Sequence, residues 1–131
     1  VWIGTRFIAT PEARAVKGYK ETMLALAEDG TVISKAYTGK TCRVVRTDWT
    51  NHYEQHPDEL QPFPMQVLAS AEAGVNHLGA PDGTEVDVAN EFMPCGQGVG
   101  AITELTPAGQ LVTDMVAEAV RTMERIAAVR R

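Results

Sequence analysis

The fold of this chain is decided by its first residues, Val1-Trp2-Ile3-Gly4-Thr5-Arg6-Phe7. The first three residues form a short apolar run that ends in glycine, which is typical of the end of a buried strand. Thr10 then offers a helix N-cap, and Pro11 is the residue favoured at the first helical position. A strand, a Gly-Thr loop and a helix place backbone N–H groups where a phosphate can bind. The stretch therefore predicts the end of a phosphate-binding unit that begins upstream of Val1.

Length and composition narrow the classes of protein. A chain of 131 residues can bury one modest core, enough for one domain but not for a complete large barrel. The net charge of −5 argues against a nucleic-acid partner, because no basic stripe exists to neutralise phosphates. No apolar run reaches the roughly 20 residues needed to cross a bilayer, so no membrane partner is expected. Cys42 and Cys95 form no CxxC pair and indicate reduced thiols in a cytoplasmic protein.

Local patterns in the first half predict one helix and one hairpin. The helix runs from Pro11 to about Ala27 and ends at Asp29-Gly30, where the glycine can adopt the left-handed conformation. Residues 31–37 and 43–47 are rich in β-branched and aromatic side chains and predict two strands. Thr38-Gly39-Lys40 supplies the turn between them.

The second half predicts further helices separated by loops. Pro57 begins a short helical turn, a helix follows over residues 65–73, and residues 77–87 form a surface loop rich in Gly, Pro and Asp. Thr106-Pro107 repeats the cap pattern and opens the last helix. Apolar residues recur there at helical spacing, namely Leu111, Met115, Ala119, Met123 and Ile126.

Four segments, in order along the chain, resemble the nitronate monooxygenase family, once called 2-nitropropane dioxygenases. Residues 2–13 resemble its eighth barrel strand and following helix, and residues 39–46 its strand after the barrel. Cys95-Gly96-Gln97-Gly98-Val99-Gly100 resembles its late Gly-Gln-Gly turn, and residues 105–126 its closing helix. The resemblance implies an α/β fold, the C-terminal part of an FMN-binding (β/α)8 TIM barrel with a small α+β domain. Residues 1–28 would then end the barrel, 29–104 form the small substrate-side domain, and 105–131 the helix that returns to the barrel.

The resemblance also implies a cofactor site. TIM barrels commonly bind phosphate with the loops after strands 7 and 8. By resemblance the FMN phosphate would be lined by Trp2, Ile3, Gly4 and Thr5. From the residues alone, Gly-Thr is read as the plain end of a buried strand, and Arg6 can add charge to the phosphate or be solvated.

The Gly96–Gly100 turn is the second part of the implied site. Its GxGxG pattern lacks the strand-to-helix context of a dinucleotide fingerprint. The family implies that Gly96 and Gln97 approach the flavin, while a plain connecting loop remains the alternative.

No residue of this chain is assigned a catalytic or metal-binding role. His52 and His56 have helical metal spacing, but His56 precedes Pro57 and is pushed out of the helical region, so the two imidazoles need not share a face. Together with Trp49 and Tyr53, His52 could instead contact substrate or form a packed surface aromatic patch. His77 is expected to be solvated, and Cys95 lacks a cation that would make it a nucleophile.

The predicted function is that of the C-terminal portion of an FMN-dependent oxidoreductase acting on a small-molecule substrate. By resemblance it would oxidise alkyl nitronates with O2, with the general base upstream of Val1, so the chain alone would be inactive. Two alternatives stay open: an FMN-dependent NAD(P)H enoyl-thioester reductase and a non-enzymatic small α+β binding domain. The sequence leaves undecided the substrate, a homodimeric state, and whether the rest of the barrel belongs to the same chain or to a second one.

Overall fold

A computed structural model describes residues 3–129 and shows a mixed α/β fold. The helices are α1 Gly4–Ile8, α2 Lys17–Ala25, α3 Asp48–Gln55, α4 Met65–Glu72 and α5 Ala108–Val129, and the strands are β1 Thr31–Ser34 and β2 Cys42–Val45. Two 3-10 turns cover Pro57–Glu59 and Gln97–Ala101. Within the described range no helix combines the length and apolar character that crossing a bilayer requires.

The predicted hairpin is confirmed. β1 and β2 pair antiparallel, with Thr31 opposite Val45 and Ser34 opposite Cys42. Gly39 in the connecting turn has φ +75°, and an added Cβ would lie 2.6 Å from the backbone nitrogen of Phe63. Glycine is therefore required there both by its dihedral angle and by the close approach of residues 61–63.

The segment that leads into the Gly-Gln-Gly turn pairs with the other edge of β2. The Val45 amide donates to the Met93 carbonyl (2.9 Å), and the Cys95 amide donates to the Arg43 carbonyl (3.1 Å). Residues 93–95 thus run beside β2 like a short third strand. This pairing fixes the position at which Gly96 leaves the sheet.

One core lies between the hairpin, α3 and α4. Tyr37 is fully buried, stacks on Phe92 with ring centroids 4.7 Å apart, and hydrogen-bonds through its hydroxyl to Thr47 and to two backbone carbonyls. The Ala36 carbonyl accepts two side-chain hydrogen bonds, from Trp49 Nε1 (3.0 Å) on α3 and from Gln66 Nε2 (2.6 Å) on α4. Both helices are therefore attached to the same peptide group of the hairpin.

A second core packs α2 against β2 and the 3-10 turn at residues 97–101. Its buried members include Tyr19, Met23, Val45, Met93, Cys95 and Val99. The Tyr19 hydroxyl donates to the Pro94 carbonyl, which satisfies the polar end of this buried side chain. The second core therefore holds the Gly-Gln-Gly turn against α2.

The prediction for the N-terminal stretch needs correction. Residues 4–8 form α1, a short helix, where the sequence predicted a loop after a strand. Val1 and Trp2, the start of the predicted strand, lie outside the described residues. Ile3, at the end of that strand, is not in a strand. The apolar run and the glycine are compatible with either conformation, so local sequence could not decide between them.

The helix predicted from Pro11 begins later, at Lys17, and ends at Ala25. Thr10 does bind the Ala13 amide (3.2 Å), but it closes a turn instead of capping a helix. At the true start, the Lys17 amide donates to the Asp82 carbonyl (3.3 Å), and Asp82 also pairs with the buried Lys20 (3.0 Å). The helix therefore begins where a distant loop satisfies its first amide.

Gly30 does not adopt the predicted left-handed conformation. The glycines with positive φ in the described chain are Gly39, Gly74 and Gly79. An added Cβ at Gly30 would lie 2.5 Å from the Leu26 Cδ1 atom. The glycine is explained by close packing against Leu26, the residue that follows α2.

Of the remaining elements, α4, the short turn at Pro57 and the irregular segment 77–87 agree with prediction, and α3 was not predicted. Thr47 and Thr50 form a capping box at the start of α3. The second position of such a box is usually Glu or Gln, so the pattern was not recognisable. α5 begins one residue after Pro107, as expected, but only Leu111 of its predicted apolar stripe is buried.

Candidate functional site

The two segments predicted to contact the cofactor meet in the structure. The Gly96 amide donates a hydrogen bond to Thr5 Oγ1 at 2.9 Å, joining residues 91 positions apart. Thr5 lies on α1, and Gly96 immediately follows the segment paired with β2. The sheet therefore determines where the Gly-Gln-Gly turn reaches α1.

A cavity of about 280 Å³ opens at this junction. Its walls come from α1 and the residue before it, and from the 3-10 turn together with the residues immediately before and after that turn. The lining residues are Ile3, Thr5, Arg6, Gly96, Gly98, Ala101 and Ile102.

The predicted cofactor residues divide into three groups. Ile3, Thr5 and Gly96 line the cavity. Gly4 and Gln97 are exposed neighbours that do not line it. Trp2 lies outside the described residues. Arg6, for which the sequence left phosphate contact and solvation open, lines the cavity.

The glycines of the turn differ in what they contribute. An added Cβ at Gly100 would lie 2.7 Å from the Glu28 backbone nitrogen, so this glycine lets the turn pack against the chain after α2. An added Cβ at Gly98 would meet nothing within 4 Å. Gly100 therefore serves packing, whereas Gly98 leaves the cavity wall open and its backbone accessible to a ligand.

The polar groups at the cavity suit an anionic ligand. The Arg6 guanidinium donates to the Glu104 carbonyl (2.8 Å), to Thr106 Oγ1 (2.6 Å) and to the Ala9 carbonyl (3.4 Å), which are all neutral acceptors. No carboxylate among residues 3–129 forms an ion pair with it. Its positive charge is therefore not cancelled by a neighbouring residue of the described chain.

A larger open depression of about 560 Å³ lies between α2 and the start of α3, and its charge is different. Arg46 at its rim pairs with Glu54 (2.8 Å) and also donates to Asn51 (3.0 Å). Because this cation is already neutralised, the depression offers less attraction to an anion than the smaller cavity beside Arg6.

The histidines lie away from the cavity. His52 Nε2 lies 2.8 Å from Glu59 Oε2, and the His52 and His56 rings are 4.8 Å apart. The rings are thus neighbours although His56 has left the helical conformation (φ −125°, ψ 62°). No cluster suited to holding a metal ion occurs in residues 3–129.

Aromatic packing explains the side chains beside His52. The Trp49 and Tyr53 rings meet edge to face at 5.3 Å, and the Tyr53 and His52 rings at 5.1 Å. The Trp49 indole N–H also donates a hydrogen bond to the Ala36 carbonyl. Of the two roles that the sequence left open, the geometry favours a packed aromatic patch over a substrate contact.

The buried carboxylate of Glu91 was not predicted from the sequence. Glu91 is 1% exposed, and its two oxygens accept the His77 amide and lie against His77 Nδ1, each at 2.8 Å. His77, expected to be solvated, is therefore half-buried and fixed. The two residues lie 14 positions apart across an irregular loop, and no local pattern signals such a pair.

The thiols are not activated. Burial raises the pKa of Cys95 to about 11, and the nearby Arg43 lowers it by less than burial raises it. Burial also raises the pKa of Cys42. Since the thiolate is the nucleophile, neither cysteine is suited to covalent chemistry near neutral pH.

Comparison with known proteins agrees with the resemblance drawn from the four segments. The nitronate monooxygenase family model matches residues 1–118. A Mycobacterium tuberculosis protein named "Putative monooxygenase Rv1533" is 31% identical over 130 residues, which are 96% of this chain and 34% of that protein. Among solved structures, FabK from Thermotoga maritima has 27% identity and a TM-score of 0.73, covering 95% of this chain and 38% of FabK.

A nitroalkane oxidase from Streptomyces ansochromogenes shares the fold, with a TM-score of 0.71 at 24% identity, over 95% of this chain and 33% of the oxidase. The chain thus spans about a third of the length of the proteins it matches. Because the family model covers most of the sequence, the chain belongs to the nitronate monooxygenase family.

Proposed function

We propose that this chain forms the C-terminal portion of an FMN-dependent oxidoreductase that oxidises alkyl nitronates with O2. The observation that carries the proposal is the junction of Thr5 with Gly96. Two segments that separately resemble cofactor-binding parts of the family are joined there by a hydrogen bond and line one cavity. Membership of the nitronate monooxygenase family supports the reaction class.

The proposed organisation follows the family. Residues 1–28 would contribute the end of a TIM barrel, residues 29–104 the small substrate-side domain, and residues 105–131 a helix returning to the barrel. The matches to about a third of FabK and of the nitroalkane oxidase support a role as one part of a larger catalytic unit. In this proposal the rest of the barrel comes from additional chain or from a second chain.

The residues at the cavity fit the phosphate of FMN. The Thr5 hydroxyl accepts from the Gly96 amide, so its own hydrogen is left to donate to a phosphate oxygen. Arg6 adds a positive charge that no carboxylate of the described chain neutralises. A hydroxyl donor, a cation and the open backbone at Gly98 are suitable partners for a dianionic group.

FMN, when bound, would supply the redox chemistry. The residues of this chain would hold its phosphate, and the small domain would cover one side of the substrate pocket and exclude water. His52, His56 and His77 do not line the cavity, so none is proposed as the base that removes a substrate proton. In this proposal that base belongs to the rest of the barrel.

The proposal is tested by titrating FMN into the complete product of the gene that encodes this chain. Thr5→Val removes the hydroxyl while keeping the side-chain shape, and we expect FMN affinity to fall about tenfold or more, as for a lost charge-assisted hydrogen bond. Thr113→Val is the matched control, because Thr113 lies exposed on α5 and donates only to the Gly109 carbonyl.

Steady-state turnover then distinguishes nitronate oxidation from the reductase alternative. Oxidation of an alkyl nitronate with consumption of O2 supports the proposed reaction, whereas rapid flavin reduction by NAD(P)H with no nitronate turnover assigns the reductase alternative. Absence of flavin binding by the wild-type protein would refute both.

A further inference from the structure

Arg6 and Thr5 are neighbours on α1, and each holds one end of the same distant segment. Thr5 accepts from the Gly96 amide (2.9 Å). Arg6 donates to the Glu104 carbonyl (2.8 Å) and to Thr106 Oγ1 (2.6 Å). Residues 97–105 lie between these attachments and include the 3-10 turn, which forms one wall of the cavity. We call residues 96–106 the wall segment.

The far end of the wall segment is held differently from its beginning. Val99 and Ile102 are buried and anchor the segment in the second core up to residue 102, whereas residues 103–105 are exposed. Beyond residue 102 the side-chain contacts come from Arg6, and Glu12 binds the Ala108 amide two residues after the segment. α1 has five residues and buries none of them fully, so it is too short to be stable without such side-chain attachments. The Arg6 contacts therefore hold α1 and the end of the wall segment to each other.

The geometry points to Arg6 as a positioning residue for the cofactor cavity, a role that rests on the proposed function. By fixing residues 104–106 to α1, Arg6 sets the separation of the two cavity walls and keeps Thr5 directed at Gly96. A planar guanidinium suits this task because its N–H groups reach several acceptors in fixed directions. A lysine could retain the charge but not this set of contacts.

The test uses the complete gene product and compares variants that alter single contacts. Arg6→Lys is expected to weaken FMN binding about tenfold, since the hydrogen bonds of the guanidinium are lost, and Arg6→Gln by at least as much, since the charge is lost as well. Thr106→Val should weaken FMN binding by part of this amount. Thr106→Ser should keep the wild-type affinity, because serine retains the acceptor oxygen. Retained affinity in Arg6→Lys would assign Arg6 a charge role alone and overturn the positioning role.

Glu12→Gln is the matched control for contacts between the N-terminal region and α5. The Glu12 carboxylate accepts the Ala108 amide at 3.1 Å, just beyond the wall segment. FMN affinity should therefore be unchanged in this variant. A melting temperature that falls in step with affinity across the Arg6 and Thr106 variants would show a purely structural role and also overturn the inference.

Amide hydrogen exchange separates failure of this inference from failure of the proposed function. Arg6→Gln should speed exchange at residues 97–105 while β1 and β2 keep their protection. If wild-type protein binds no FMN, the proposed function fails, and this local change alone decides whether Arg6 holds the wall. Unchanged exchange over the wall segment refutes the inference in either case.

Discussion

The hairpin core and helix α5 differ in how far their apolar side chains are buried. Around the hairpin, Tyr37, Val44 and Phe92 are buried, and the buried polar side chains Gln66, Ser70 and Glu91 all have hydrogen-bond partners. On α5 only Leu111 is buried, although the helix has 22 residues. Its exposed apolar residues include Val112, Val116, Val120, Met123, Ile126 and Val129.

Of these two regions, the hairpin core contributes more to the stability of the described chain. A helix gains most of its stability in water by burying an apolar face. The hairpin core does so within residues 3–129, whereas the apolar stripe of α5 is exposed there. Substitutions in the first region should therefore lower the free energy of unfolding far more than equivalent substitutions in the second.

The largest effect is expected from Tyr37→Ala. The variant removes a fully buried aromatic ring, and truncation of such a ring costs about 3–5 kcal/mol of unfolding free energy. Tyr37→Phe keeps the ring and loses only the hydroxyl that bonds Thr47 and two carbonyls, which should cost about 1–3 kcal/mol. Urea unfolding monitored by circular dichroism measures both. Equal losses for the two variants would contradict the importance of packing in this core.

Gly39→Ala should have the next largest effect. Its left-handed φ costs a Cβ-bearing residue about 1–2 kcal/mol, and overlap with the backbone of residues 61–63 adds about 1–3 kcal/mol. Gly74→Ala is the matched control, because Gly74 has φ +69° and nothing within 4 Å of an added Cβ. The difference between the two melting curves isolates the overlap. Similar stabilities would mean that residues 61–63 can move away from the turn.

The smallest effect is expected on α5, and it tests the comparison directly. Val116→Thr should change the unfolding free energy by less than about 0.5 kcal/mol, because Val116 is 60% exposed. The same replacement at Val44, which is fully buried, places a hydroxyl in the core and should cost about 1–3 kcal/mol. A cost above 1 kcal/mol at Val116 would show that the exposed apolar side chains of α5 are covered by material outside residues 3–129.

The sequence predicts elements whose signals are local and misses those that depend on distant partners. The hairpin was predictable because its turn residues and strand residues are neighbours. α2 was misplaced because the Asp82 carbonyl that satisfies its first amide lies 65 positions beyond Lys17. α3 was missed for a local reason, because Thr50, and not Glu or Gln, completes its capping box.

The candidate site shows the same limit. Resemblance pointed to Thr5 and Gly96 as separate members of a cofactor site, and the structure adds the hydrogen bond that joins them. Arg6 could be named from its charge, but its attachment to Glu104 and Thr106 depends on the path of the chain after the 3-10 turn. Arg6 binds a backbone carbonyl and a threonine hydroxyl, and neither acceptor is a residue type that a sequence pattern would pair with arginine, so this contact could not be predicted.

The Ala36 carbonyl, which accepts two side-chain hydrogen bonds, is a stabilising group that mutational scanning cannot detect. Trp49 and Gln66 attach two helices to this one oxygen, yet the oxygen belongs to the backbone and is present whichever amino acid occupies position 36. A scan would find position 36 sensitive to side-chain size, because Ala36 is fully buried, and would record no polar requirement. An amide-to-ester replacement of the peptide bond between Ala36 and Tyr37 weakens the Ala36 acceptor and leaves every side chain intact. The loss of stability in that variant would measure how far the fold depends on this oxygen, which no amino-acid substitution removes.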